Sequence, residues 1–300
     1  MKRTATRLCS RRSVLAGAAW LLAARPLYAL AAVSTPRVAA IDWAMLETAM
    51  ALGVTPVAAT ELLQFRRSAV EPVIPETVTD LGLRGAPNFE LLYLQRPDLI
   101  LSSPFYASQQ AALEAIAPVL PLPFYLPGEP PFAKALAAVE QVAARLGVPD
   151  RGRAVLAEAD ALLADCRQRL ARFADRPFHL INIGDARHFR AFGADSMFGD
   201  VLQRLGLENA WTDQSRFSFA APVPLEMLAA RPQARIVIVS EVPVEARGGF
   251  AGSMIWQMLE PVREGRVIRL ANINPYGGIT AGLRFARLLT EALEAGGEPA

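Results

Sequence analysis

A short helix-to-strand unit occurs twice in this 300-residue chain, and it limits the fold more than any other feature. Phe89-Glu90-Leu91-Leu92, Arg96-Pro97 and Leu99-Ile100-Leu101 recur, with slightly different spacing, as Leu225-Glu226-Met227-Leu228, Arg231-Pro232 and Ile236-Val237-Ile238. Each copy sets a glutamate in the first turn of a short helix, where the helix dipole favours negative charge, then breaks at proline and enters an apolar strand. Chance likeness is the competing explanation; a duplicated unit in two α/β halves is the more economical one.

The flanking pattern agrees with two halves. Val38-Ala39-Ala40-Ile41 reads as a buried strand, Trp43 to Leu52 as an amphipathic helix closed at Gly53, and Val54 to Ala58 as a second strand. Asn88 caps a short helix that runs to Gln95 before the strand at Leu99. Such alternation predicts a parallel sheet covered by helices. Proline is dense from Pro118 to Pro131, and an alanine-rich helix follows from Phe132 to Leu146. The longest uninterrupted helical pattern, Ala154 to Phe173, carries one apolar stripe through Leu156, Ala159, Leu163, Cys166, Leu170 and Phe173. At ~1.5 Å per residue it spans about 30 Å, enough for a strut between lobes, although an ordinary packing helix fits the same pattern. Alternation then restarts with strands at Phe178 to Ile183 and Phe189 to Phe192, and a helix capped by Asp195 or Ser196 and closed at Gly206. The expected division is a leader at 1–31, a first lobe at 36–146, a linking helix at 147–175 and a second lobe at 176–296.

The leader reads as an export signal. Ser10-Arg11-Arg12-Ser13 carries a twin-arginine pair, Val14 to Ala24 is apolar but only about half of the ~20 residues a membrane span needs, and Ala29-Leu30-Ala31 offers a cleavage site. Cys9 precedes the apolar run, whereas a lipid-modified cysteine would follow it. The expected mature protein is therefore periplasmic, reached by the twin-arginine route with cleavage near Ala31, and not inserted in the membrane. Cleavage removes Lys2, Arg3, Arg7, Arg11, Arg12 and Arg25, so 31 basic residues against 29 acidic become 25 against 29, about −4. That balance argues against nucleic acid as a partner. Only Cys166 remains, on an apolar stripe, which leaves no intramolecular disulfide and suggests a buried, structural thiol.

An exported hydrolase is the main reading from another class. No G-x-S-x-G elbow occurs, and of two histidines His179 falls within a strand, leaving His188 as the sole candidate base. Two histidines are also few for a zinc or manganese site. Gly277-Gly278 before a helix could bind phosphate, though a turn is the commoner meaning of such a pair.

Asp80-Leu81-Gly82-Leu83-Arg84, Pro87-Asn88-Phe89-Glu90 through Ile100, His188 to Trp211, Ile255-Trp256-Gln257 with Val262 to Val267, and Tyr276-Gly277 through Leu289 belong together. In this order they resemble the periplasmic iron-siderophore binding proteins, with the nearest likeness to the hydroxamate branch. The resemblance implies two Rossmann-like α/β lobes with parallel sheets, joined by one long backbone helix. A ferric siderophore would lie in a shallow cleft with little hinge movement. It also implies a monomer that is not an enzyme, holds no cofactor of its own because iron arrives inside the ligand, and delivers to an inner-membrane ABC permease. Haem or cobalamin is the alternative ligand of the same fold.

Arg84 and Tyr106 match the arginine and tyrosine that touch the oxygens around iron in that branch. A saturated ferric chelate has partly negative oxygens and no vacant coordination position, so hydrogen-bond donors suit it better than metal ligands. In the second lobe Ser218, beside Phe219, and Asn274 stand where the branch has indole rings, while Tyr276 is retained, which implies a more polar pocket. Arg187, His188 and Arg190 would favour an anionic complex if they point inward; solvated arginines are the bland alternative. Glu90 and Glu226 match the glutamates, one per lobe, that dock on arginines of the permease.

Overall fold

In the computed structural model, which describes residues 36–212 and 222–296, the first half is a five-stranded sheet. Its strands are β1 (Val38–Ala40), β2 (Ala58–Ala59), β3 (Thr79–Asp80), β4 (Leu99–Ser102) and β5 (Val119–Pro121), in the order β3-β2-β1-β4-β5 and all parallel. The crossovers are helical, as parallel strands require: α1 (Trp43–Ala51), α2 (Leu62–Ser68), α3 (Phe89–Leu94) and α4 (Gln110–Glu114), the last preceded by a 3-10 helix at Pro104–Gln109. Asn88 does cap α3, its side chain accepting from the Leu91 amide at 2.9 Å. The leader at 1–31, and Ser218 with Phe219, lie outside the described residues.

The second half has its own five-stranded sheet, in the order β10-β9-β6-β7-β8. Here β6 (Phe178–Ile183), β9 (Arg235–Ile238) and β10 (Val267–Arg269) are parallel. By contrast β7 (His188–Ala191) runs antiparallel to β6, and β8 (Val223–Pro224) antiparallel to β7. The cause is local: only residues 184–187 separate β6 from β7, far too few for a crossover, so the chain must fold back as a hairpin. The helices of this half are α7 (Met197–Arg204), α8 (Val244–Ala251), α9 (Met254–Met258) and α10 (Glu260–Arg263), with a 3-10 helix at Leu225–Ala230. Ser196, not Asp195, caps α7, its hydroxyl accepting from the Gly199 amide at 3.0 Å.

Three long helices lie between the sheets: α5 (Phe132–Arg145), α6 (Pro149–Leu170) and α11 (Ile279–Glu294). The 22-residue α6 begins earlier than the apolar stripe suggests, with Pro149 in its first turn, where the missing amide costs nothing. Gly152 does not break it. It is buried against α5, where an added Cβ would stand 2.7 Å from that of Ala143, so the glycine sets the closeness of the two helices. Cys166 lies in the core, as the stripe implies. No helix among the described residues is long and apolar enough to cross a membrane.

The strut is not solitary. One apolar core joins Val38 of β1, Met45 of α1, Phe132 of α5 and Leu170 of α6 to Phe178 of β6, Phe198 of α7 and Phe285 of α11. The α5 amide at Phe132 donates to Asp200 of α7 at 2.8 Å, and the Phe198 and Phe285 rings lie 5.1 Å apart. A polar clasp closes this shared layer. Glu47 of α1, fully buried, accepts from the Gly278 amide at 2.7 Å, the Ala281 amide at 3.1 Å and the Asn274 side chain at 2.7 Å. The N-terminus of α11 is thus occupied by the protein's own carboxylate, which is what Gly277-Gly278 provides for in place of phosphate. A Cβ at Gly277 would sit 2.5 Å from the Glu47 carboxylate, and one at Gly278 2.8 Å from the Ala44 carbonyl. Burial pushes Glu47 up to about 8, against the pull of its three donors. A second clasp pairs Glu71 with Arg284 and Arg287 of α11.

Candidate functional site

Ligands of open α/β sheets sit beyond the C-terminal ends of parallel strands, and here those ends converge on one cleft. Asp42 follows β1, Glu61 follows β2, Arg84 follows β3, Ser103 to Tyr106 follow β4, and Pro123 to Leu126 follow β5. Together with Trp43, and with Tyr276 from the second half, they line a cavity of about 490 Å³.

Its polar groups are held before any ligand arrives. Asp42 caps α1, accepting from the Ala44 amide at 2.7 Å, and receives the Ser103 hydroxyl at 2.7 Å. Burial raises its carboxyl above the usual range, opposed by those hydrogen bonds. Arg84 lies with its guanidinium carbon 3.9 Å from the centre of the Trp43 ring, while its Nε donates to Glu61 at 2.6 Å. Glu61 also accepts from the Arg84 backbone amide at 3.2 Å. Glu61 takes a left-handed backbone conformation, φ 51°, which is uncommon for a residue with a side chain and aims its carboxylate at the arginine. Beyond its Nε contact to Glu61, the Arg84 side chain also hydrogen-bonds with Tyr106, which sets the two groups side by side in the cavity lining. Tyr106 is buried, and burial, then the Asp42 charge, pushes its hydroxyl above the ordinary range, so it stays a neutral donor. Phe105, 86% exposed, stands edge-on to Tyr106 at the mouth, with ring centres 5.2 Å apart.

Past Tyr276 the cleft continues into a second cavity of about 480 Å³, lined by Gln64, Arg67 and Ser68 of α2 and by Asn182, Arg190, Ser240, Arg247 and Asn272 of the second half. Tyr276 stands between the two, its ring 5.8 Å from that of Tyr125, whose hydroxyl donates to the Gly277 carbonyl at 2.6 Å. Among the described residues, no three His, Cys, Asp or Glu side chains are gathered in a way that could hold a metal ion.

The structure therefore brings Arg84, Tyr106 and Tyr276 together. Asn274 is not with them: it is 1% exposed, and its amide is committed to Glu47 and to the Tyr276 backbone. It serves the clasp, because the chain turns at this point to bring the start of α11 onto α1. Of Arg187, His188 and Arg190, only Arg190 lines the cleft. His188 instead contacts Asp185 at 3.0 Å within the β6–β7 hairpin. Glu90 and Glu226 are both exposed, in the first turns of α3 and of the Leu225–Ala230 3-10 helix. Sequence reasoning passed over Trp43, Glu61 and Asp42; their signal is position alone, one to three residues past a strand end.

The chain matches the periplasmic binding protein family over residues 38–273. It is 28% identical over 263 residues to the iron(3+)-hydroxamate-binding protein FhuD of Escherichia coli, covering 88% of each chain. It is 22% identical over 234 residues to the Fe(3+)-citrate-binding protein YfmC of Bacillus subtilis, covering 77% of this chain and 71% of that one. Among solved structures, the Fe3+-Desferal-bound siderophore binding protein FhuD of Vibrio cholerae superposes with a TM-score of 0.82 at 25% identity, over 88% of this chain and all of that one.

Proposed function

This chain belongs to the periplasmic binding protein family, whose members bind rather than transform their ligands, and from that premise we propose that it captures a ferric siderophore and delivers it to an inner-membrane ABC importer. The chelate is of hydroxamate type. One observation carries this reading: two hydrogen-bonding groups, Arg84 and Tyr106, line an aromatic-walled cavity at the strand ends. A hydroxamate chelate presents partly negative oxygens around a filled iron shell and an apolar flank. The donors would meet those oxygens while Trp43, Tyr106 and Phe105 cover the flank. The similarity to FhuD of E. coli supports the same class of ligand.

Iron enters and leaves within the ligand, so the protein needs no cofactor. Export by the twin-arginine leader with cleavage near Ala31 would bring it to the periplasm as a soluble monomer. Glu90 and Glu226, one on each half and both exposed, would orient it on basic residues of the permease.

The test is tryptophan fluorescence and calorimetry with ferric hydroxamate, catecholate and carboxylate chelates, haem and cobalamin. Trp43 lies in the cavity, so a ferric hydroxamate is expected to quench it, and Trp43→Phe to remove most of that quench. A Soret shift with haem, or failure to bind any ferric chelate, would overturn the proposal.

A further inference from the structure

Beside the aromatic cavity, the second cavity has a different chemistry. Three guanidinium groups line it, from Arg67 of α2, Arg190 of β7 and Arg247 of α8, against one carboxylate, Glu241. Arg247 is spoken for, donating to Glu241 at 3.2 Å and to the Val242 carbonyl at 2.9 Å. Arg67 and Arg190 are both exposed, and neither side chain has an ion-pair or hydrogen-bond partner among the described residues. They approach from opposite sides of the cleft, one from each half.

The surroundings fix these positions. Asn272 donates to the Arg67 carbonyl at 3.1 Å and accepts from the Glu241 amide at 2.9 Å, tying the end of α2 to the second half. Arg190 pairs in register with Asn182 on β6, so the two side chains share a face of the sheet, and Asn182 donates to the Val239 carbonyl at 3.0 Å. The remaining lining mixes the polar Ser68, Ser240 and Asn272 with apolar side chains such as Phe192, Val239 and Ile273. Tyr276 lines both cavities, so the two adjoin at that side chain.

We infer that the second cavity receives a carboxylate carried by the ferric chelate, clamped between Arg67 and Arg190. This rests on the proposed siderophore reading and narrows it to hydroxamate chelates that also bear a carboxylate. Guanidinium forks match a carboxylate in plane and charge, and neither arginine has to leave a partner among the described residues to do so. The aromatic cavity has no such excess: its Arg84 is neutralised by Glu61, and Asp42 adds a second acid. The iron-hydroxamate centre and the carboxylate arm therefore have separate, chemically matched places.

The test is calorimetry with three ferric probes: a neutral trihydroxamate, a citrate-centred dihydroxamate bearing carboxylate, and a tricatecholate. Each is measured on the wild-type protein and on the Arg67→Ala/Arg190→Ala double variant, with circular dichroism as the check on folding. The wild type is expected to prefer the carboxylate-bearing chelate over the neutral one by at least tenfold, with the preference shrinking as salt is raised. The double variant is expected to lose that preference while its affinity for the neutral trihydroxamate stays within about twofold. No preference in the wild type, or a preference that survives in the variant, would overturn the inference and leave the siderophore reading standing. Equal dependence of the tricatecholate on the two arginines would overturn the carboxylate assignment. Absence of binding by all three probes would overturn the siderophore reading itself. Single variants, Arg67→Ala and Arg190→Ala, keep the result readable if the double variant fails to fold.

Discussion

The two cavities of the cleft solve opposite problems. In the first, every charged group is already engaged: Arg84 with Glu61 and the Trp43 face, Asp42 with the start of α1 and Ser103. In the second, Arg67 and Arg190 stand on opposite walls without a side-chain partner among the described residues. Groups held in advance lose little freedom on binding and discriminate by geometry, whereas free arginines lose rotamer entropy and discriminate by charge. A site that must recognise a constant iron centre and a variable periphery is served by having one of each. The comparison has meaning only if the two walls keep a fixed spacing, and that depends on the buried layer behind them.

The largest effect is therefore expected at the clasp. Glu47→Ala leaves the Asn274 amide and the Gly278 and Ala281 N–H groups without their acceptor. Losing a buried carboxylate from three donors should cost about 3–5 kcal/mol in urea denaturation. A loss below about 1 kcal/mol would mean that α6 alone fixes the spacing and that the shared core is incidental. Next in size is Arg84→Ala, which should weaken every ferric hydroxamate by about 2 kcal/mol, roughly thirtyfold, by calorimetry. Arg84→Lys should not restore affinity, because an ammonium cannot pair with Glu61 through one nitrogen and present a planar pair of donors through two others. Full rescue by lysine would show that charge, not the held geometry, distinguishes the first cavity.

Glu47 in the first half and His179 in the second are both buried, and their titrations act in opposite directions. Burial pushes Glu47 up to about 8 from 4.5, so its protonated form is favoured in the folded protein. Its contribution is complete below about pH 4.5 and is lost as pH rises through about 8. His179 of β6 is 2% exposed with neither ring nitrogen partnered among the described residues, and burial, then the Arg231 charge, lowers it to about 4 from 6.5. Its contribution is complete above pH 6.5 and is lost as pH falls through about 4. Thermal unfolding across pH should thus decline on both sides of mildly acidic pH, by no more than about 1.4 kcal/mol per unit for each group. Glu47→Gln should flatten the alkaline side and His179→Phe the acid side. Unchanged slopes in either variant would assign the decline to other groups.

The same asymmetry governs how much was legible in the sequence. Strand alternation and helix caps are local, and local rules found Asn88 and narrowed the α7 cap to Asp195 or Ser196. Arg84 and Tyr106 came from the resemblance, and the strand ends do bring them together. Asn274 was misplaced because a buried partner 227 residues away, Glu47, decides where its side chain goes. The apolar stripe starts at Ala154 while the helix starts at Pro149, because sequence shows the missing side chain of Gly152 but not the neighbouring Ala143 that it accommodates. The antiparallel β7 was hidden within an alternating pattern that only the shortness of the preceding turn betrays. Asn274 and Gly152 are decided by packing partners the sequence does not reveal, and the shared core between the halves is built from contacts of that kind.

The smallest expected effect tests the first cavity from within. Glu61 holds Arg84 in two ways, by accepting its hydrogen bonds and by cancelling its charge, and Glu61→Gln separates them. Glutamine keeps one acceptor oxygen for Nε while giving up the weaker contact to the Arg84 backbone amide, so the guanidinium is still held over Trp43 while its charge is no longer balanced. The pair is partly exposed, with side-chain exposures of 28% and 19%, so the electrostatic change should amount to about 0.5–1 kcal/mol, a factor of two to five. That gain should appear for an anionic ferric chelate, while a neutral trihydroxamate stays unchanged. Equal weakening of both ligands would instead make Glu61 a positioning residue alone. The first cavity would then owe its tolerance of ligand charge to shape, and the division of labour across Tyr276 would be one of geometry on both sides.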